Sequence, residues 1–177
     1  ESDEQARFIE GVVSTPKGAL RVVSLYLPNG NPIGTEKFAY KLAWMDRLER
    51  WARARLVLEE ALVLAGDYNV IPQPRDARNP AAWVGDALFQ TESRQALRRL
   101  VNLGFVDATR AVSEADGLYT FWDYQAGAWQ KNNGIRIDFQ LLSPEAADLL
   151  RTVAIEKHVR SWEKPSDHVP VAIELAV

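Results

Sequence analysis

The sequence predicts a single α/β domain of the layered-sandwich type, and three features carry that reading. Strand-like apolar runs recur from end to end, at residues 8–13, 20–27, 62–65, 119–124, 135–142, 152–159 and 169–175. Two other stretches repeat apolar residues at steps of three and four, the spacing of a helix that buries one face. These elements mix without a strict βαβ rhythm, which points to packed layers rather than a barrel or a bundle.

The elements follow in order from their punctuation. Thr15-Pro16-Lys17-Gly18 separates the first two runs with turn chemistry and suggests a hairpin. Pro28-Asn29-Gly30-Asn31-Pro32 stops the second strand. From Glu36, residues Phe38, Leu42, Met45 and Leu48 share one face of a helix running to about Glu60. Residues 62–65 form a short buried strand ended by Gly66-Asp67, and the polar, proline-containing residues 73–86 form a long loop. A second helix spans residues 92–103, with Leu97, Leu100 and Val101 on its apolar side and Gly104 placed to cap it. Pro144 opens a short helix over residues 144–150. There is no internal repeat and no linker, so the 177 residues belong to one domain.

Composition narrows the function classes. Hydrophobic residues make up 47% and charged residues 25%, ordinary globular values that exclude an acidic or basic tail protein. No run approaches the roughly 18 apolar residues of a membrane span, and the first residues lack a basic-then-apolar signal pattern. The absence of cysteine excludes a disulfide framework and any thiolate metal site, and it fits a reducing cytoplasm. A metal must therefore sit on oxygen or histidine. With 21 Lys+Arg against 24 Asp+Glu, the net charge of −3 argues against a protein that grips nucleic acid by overall charge alone.

Four segments carry candidate chemistry. In Gly66-Asp67-Tyr68-Asn69 a carboxylate and an amide stand two residues apart, so on an extended chain both reach the same way, toward a metal-bound water or a phosphate oxygen; an Asx turn would use the same residues. Pro165-Ser166-Asp167-His168-Val169-Pro170 places an acid beside a histidine, as general acid/base work requires. Neighbours on one strand point oppositely, so a more distant carboxylate is the better partner for His168. Arg136, Asp138 and Gln140 alternate with apolar residues and either floor a site or simply face solvent. Tyr119-Thr120-Phe121-Trp122, with Trp129 nearby, offers aromatics that suit stacking on bases, although core packing must claim some of them. His158 reads as a surface residue.

Taken in order, Tyr26-Leu27-Pro28-Asn29-Gly30, Gly66-Asp67-Tyr68-Asn69, Tyr119-Thr120-Phe121-Trp122, Arg136-Ile137-Asp138 and Ser166-Asp167-His168-Val169-Pro170 resemble the exonuclease III/AP endonuclease family. The resemblance implies a four-layer α/β sandwich of the DNase I-like type, with its site at one edge between two facing sheets. It implies that Asp67 and Asn69 position water and phosphate, and that His168 and Asp167 act at phosphate and metal. Tyr26, Asn29 and Asp138 complete the cluster, with Asp138 orienting the imidazole. Phe121, Ile135 and Ile137 match positions that shape a pocket for a baseless sugar, although Ile135 replaces a frequent tryptophan. With Trp122 and Arg136 they form the expected substrate surface. The implied cofactor is Mg2+, with Mn2+ as a substitute, on Asp67, Asn69 and Asp167. The implied partner is double-stranded DNA with abasic sites or 3′ ends, and no membrane.

Family members begin with a strand carrying an Asn, followed later by a Gln-Glu whose glutamate is the principal metal ligand. Neither stands in this sequence. The expectation is therefore the C-terminal portion of one such domain, short of its N-terminal strands, that binds magnesium weakly and self-associates or pairs with an N-terminal segment. Two other readings share these motifs: a phosphatase or phosphodiesterase of the same fold acting on a phosphoinositide or phospholipid, and a non-catalytic DNA- or partner-binding fragment.

Overall fold

A computed structural model describes residues 3–177. Strands β1 (Phe8–Thr15) and β2 (Gly18–Tyr26) form an antiparallel hairpin. Its tight turn is closed by the Thr15 hydroxyl, which donates to the Gly18 carbonyl at 2.7 Å. Helix α1 (Glu36–Leu56) then crosses over to β3 (Ala61–Asp67), which lies parallel to β2. A parallel neighbour requires such a crossover. Glu36 in the first turn of α1 and Arg53 and Arg55 in the last complement the helix dipole.

Helix α2 (Thr91–Val101), the short strand β4 (Val106–Asp107) and helix α3 (Ala108–Val112) follow. Strand β5 (Asp138–Leu142) inserts antiparallel between β3 and β4, giving a five-stranded sheet of order β1-β2-β3-β5-β4. Helix α4 (Pro144–Ala147) leads to β6 (Leu150–Ile155), which pairs antiparallel with β7 (Val171–Leu175) in a second, two-stranded sheet.

Strand alternation sorts the side chains into layers. Val23, Leu25, Leu62, Leu64, Phe139 and Leu141 face the helices and pack with Trp44, Met45, Leu48 and Ala52 of α1 and Ala96, Leu97 and Leu100 of α2. Intervening residues such as Val63 and Leu142 face the other way, toward Val153 of β6 and Ile173 of β7. The described residues thus make helices on sheet on sheet, and no helix among them is long and apolar enough to cross a membrane.

Several expected elements are shorter than their apolar runs. Residues 119–124 are not a strand. They hold an irregular course through isolated bridges from Phe121 to Ile135 and to His168, because bulky aromatics there fill the interior instead of extending a ladder. Strand β5 begins at Asp138 rather than 135, and β6 ends at Ile155, where a 3-10 turn (Lys157–Ser161) takes over. Helix α1 ends at Leu56, four residues before the expected Glu60.

Gly66 lies where the backbones of β3 and β2 leave no room for a side chain. At φ +151° it lies against β2, where an added Cβ would stand 1.9 Å from the Leu25 carbonyl oxygen. No L-side chain fits there without separating β2 from β3. Gly66→Ala is expected to lower the stability to urea unfolding by about 3 kcal/mol or more. A loss below about 1 kcal/mol would mean that the two strands do not depend on this contact.

Candidate active site

Three strand ends align the central residues. Parallel pairing sets Tyr26 beside Asp67, and antiparallel pairing sets Asp138 opposite Asp67. Register partners share a sheet face, so the three form a row on the face turned toward β6 and β7. His168 reaches this row from the segment before β7. Its Nδ1 lies 3.0 and 3.1 Å from the two carboxylate oxygens of Asp138, and its Nε2 turns toward Asp67, 4.0 Å from Oδ2. Thr120 fixes the pair from behind: its hydroxyl donates to Asp138 Oδ2 at 2.6 Å and accepts from the Ile137 and Asp138 amides. The Phe121 ring meets the imidazole edge-on, with centroids 5.0 Å apart.

The arrangement shifts both titrating groups. Burial, reinforced by the neighbouring charge of Asp138, pushes the Asp67 carboxyl up to about 7, against the lowering effect of the Asn69 amide, His168 and Lys41. Burial pulls the His168 imidazole down, but its hydrogen bond to Asp138 and the charges of Asp138, Asp67 and Asp167 outweigh it, so the imidazolium is favoured. Each group is thereby a stronger base than its free side chain.

Asn69 sits at φ +47°, a left-handed conformation that asparagine tolerates, and this folds its amide back onto Asp67. Its backbone N–H donates to Asp67 Oδ1 at 2.8 Å, and its Nδ2 donates to Asp67 Oδ2 at 3.0 Å and to the Leu27 carbonyl at 2.9 Å. Both side-chain protons are thus committed, and Oδ1 accepts from Asn29 Nδ2 at 3.2 Å. Asn69 therefore orients the carboxylate. Asn29 is held in turn by Asn31, whose side chain also bonds Asp86.

Lys41 was not among the expected site residues. Fully buried beneath the site, its ammonium donates to the carbonyls of Asn29 at 3.0 Å and Asn69 at 2.6 Å. Burial pulls its pKa down to about 7, although Asp67 and Asp86 pull it up. Gly30, at φ +88°, leaves room for the lysine stem, since a Cβ there would come within 2.6 Å of Lys41 Cδ. The signal was available: Lys41 shares the buried stripe of α1 with Trp44, Met45, Leu48 and Ala52.

Other expected residues lie elsewhere. Trp122 is 0% exposed and packs with Tyr119, Ala128 and Val169, so it belongs to the core and not to a base-stacking surface. Arg136 is 2% exposed; its guanidinium donates to Asp76 and Asp107, each at 2.7 Å, which leaves it no role in holding substrate. Ile135 and Ile137 are buried with Ile71, Ala77 and Leu88, while Phe121 packs over them and keeps exposed surface. Tyr26 is 51% exposed, with Arg7 over its ring at 5.0 Å. The Asp167 carboxylate sits beside the Ser166 hydroxyl at 3.4 Å, and its carbonyl accepts from the Trp122 amide. His158 is exposed beside Glu156, as its sequence context suggested.

Among the described residues, no three His, Cys, Asp or Glu side chains gather to hold a metal ion. The donors present are nevertheless of the hard-oxygen kind, and the raised carboxyl of Asp67 is a group whose ionised form a cation would stabilise.

A mixed sheet facing a second sheet, with a carboxylate–imidazole–carboxylate row at its edge, defines an α/β sandwich of the DNase I-like type. The chain belongs to the endonuclease/exonuclease/phosphatase family, whose model matches residues 3–168. It is 33% identical to the exodeoxyribonuclease of Bacillus subtilis over 86% of its length and 58% of that protein's. With exodeoxyribonuclease III of Haemophilus influenzae the identity is 30%, over 97% of this chain and 67% of the relative. A 3′ phosphatase from Neisseria bound to product DNA hairpin superposes with a TM-score of 0.92 at 34% identity, over 99% of this chain and 66% of that one. An AP endonuclease from Archaeoglobus fulgidus gives 0.88 at 32% identity, covering 97% and 65%. The resemblance drawn from the five motifs holds. The chain spans roughly three-fifths to two-thirds of these proteins' lengths.

The raised carboxyl has a thermodynamic consequence. Because the folded-state value of Asp67 exceeds its unfolded value, the folded state binds the extra proton between the ordinary carboxylate range and about 7, and its stability falls as pH rises through that window. In metal-free buffer, Asp67→Asn should therefore lose less stability than the wild type between pH values of about 4 and 7. Parallel urea-midpoint curves for the two proteins would contradict the shift.

Proposed function

We propose that this chain carries the catalytic face of a DNA-repair phosphodiesterase of the exonuclease III kind, cleaving duplex DNA at abasic sites and 3′ ends. The observation that carries the reading is the imidazole of His168, anchored through Nδ1 by Asp138 and presenting Nε2 toward Asp67. The relatives' names support nuclease chemistry, and the neighbour described with a product DNA hairpin supports a DNA end as substrate.

Hydrolysis needs a deprotonated water, relief of phosphoryl charge and an oxygen leaving group. Asp67, held at both oxygens by Asn69 and raised toward neutrality, takes the proton of the attacking water. As the water oxygen bonds to phosphorus, charge builds on the phosphoryl oxygens, and the imidazolium Nε2–H of His168 donates to one of them. The ester P–O bond then breaks, and its electron pair leaves with the sugar oxygen. Asp138 keeps the imidazole turned and charged throughout. Thr120 and Lys41 hold the two sides of the site without touching substrate.

Mg2+, with Mn2+ as a substitute, is the ion of choice for an all-oxygen site. Asp67 would be this chain's contribution to holding it, and the ion would supply charge relief at the phosphoryl group. Half-buried Phe121, over the buried Ile135 and Ile137, offers the apolar surface that a baseless sugar would meet.

The test is single-turnover cleavage of a duplex bearing an abasic site, run beside an inositol polyphosphate. Cleavage of the duplex is expected, and hydrolysis of the inositol polyphosphate alone would favour a phosphatase. His168→Ala should slow the chemical step by roughly 100- to 1,000-fold, the cost of losing one charge-stabilising donor, with a much smaller effect on DNA binding. A tenfold or smaller drop would assign His168 to structure.

A further inference from the structure

Across the sheet from His168, a recess of about 270 Å³ opens between α2, the segment around Asp107 and Arg110, and the helix-facing side of β5. Arg75, Arg94, Arg98, Arg110 and Arg136 all line it. Asp138 points to the opposite face of β5, so this recess is separate from the catalytic row.

The charges in the recess do not balance. Arg136 pairs with Asp76 and Asp107, Arg110 shares Asp76 at 2.6 Å, and Arg75 meets Glu114 at 2.6 Å. Among the described residues, neither Arg94, which stacks over Phe89 at 4.6 Å, nor Arg98 has a carboxylate partner. Five guanidinium groups thus face three carboxylates. The Nε atoms of Arg75, Arg94 and Arg110 are buried without an acceptor in the protein. These Nε atoms are closed to solvent, so what the recess offers an anion is the unbalanced charge of its guanidinium groups.

We propose that this recess is a second, non-catalytic anion site that takes a small phosphate monoester. The guanidinium fork matches phosphate oxygens in pairs, which favours phosphate over a spherical anion. Half-buried Val101 adds apolar surface beside the arginines, suited to the organic part of the ester. The dianion lies against Arg94 and Arg98, the two cations without a carboxylate. The Asp76–Arg136–Asp107 network holds the rear wall, with Arg110 committed to Asp76 and to the Ser113 and Ala115 carbonyls. Occupancy would offset the excess positive charge and tie α2 to the α3 segment.

Thymidine 5′-monophosphate titrated by calorimetry, without divalent cation, tests this directly. The wild type and His168→Ala should bind it equally, because the catalytic imidazole is not involved. The double variant Arg94→Gln/Arg98→Gln should bind at least tenfold more weakly with an unchanged thermal melt, and so should Arg98→Glu alone at its exposed position. Inorganic phosphate should compete with the ester in the wild type. Unchanged affinity in both arginine variants would overturn the proposal, as would loss of binding in His168→Ala alone or no binding by the wild type. The His168→Ala arm separates failure of this site from failure of the nuclease reading, which concerns the other face of the sheet.

Discussion

The register that sets Asp138 opposite Asp67 is the constraint on which the site depends. A slip of one residue between β3 and β5 would turn one carboxylate to the helix side of the sheet and separate the pair. Two carboxylates facing each other across adjacent strands repel, so the pairing is unfavourable in isolation. It persists because the surrounding groups are arranged to satisfy it: Thr120 and His168 on Asp138, Asn69 on both oxygens of Asp67. The carboxyl of Asp67 is raised mainly by its burial and further by the Asp138 charge, which is also what fits that group to accept a proton.

Rigidity around this row comes from buried charge on two sides. Lys41 joins the Asn29 and Asn69 carbonyls from below, so the two loops that frame the site share one ammonium. Arg136 joins Asp76 and Asp107 two residues before Asp138, fixing where β5 begins. Buried ion pairs of this kind add little net stability, yet removing one partner strands the other and costs about 3–5 kcal/mol. Their role is to hold the loops in one arrangement.

Much of this was legible in the sequence, and the rest was hidden for identifiable reasons. Apolar runs located every strand except the two-residue β4, and helical spacing located α1 and α2, because those patterns report burial directly. Asp67, Asn69, Asp138 and His168 were legible as a set because their motifs occur in one order, and opposite-facing neighbours had already made a more distant carboxylate than Asp167 the better partner for His168. Residues 119–124 misled, since aromatics alternate in a packed loop as readily as in a strand. Arg136 misled because a buried arginine is recognisable only once Asp76, sixty residues away, is seen to meet it. Lys41 was hidden by its charge, although its place on the apolar stripe of α1 was visible. Trp122 shows that an aromatic beside a functional motif can belong wholly to the core.

The central claim is that Asp138 holds the His168 imidazole charged and turned toward Asp67. NMR titration of the His168 ring, distinguished from His158 by a His158→Gln variant, measures this most directly. The account predicts that His168 titrates above the ordinary histidine range and that Asp138→Asn lowers its midpoint, since the charge and hydrogen bond that outweigh burial are then weakened. An imidazole that titrates at or below the ordinary value, and is indifferent to Asp138→Asn, would contradict it.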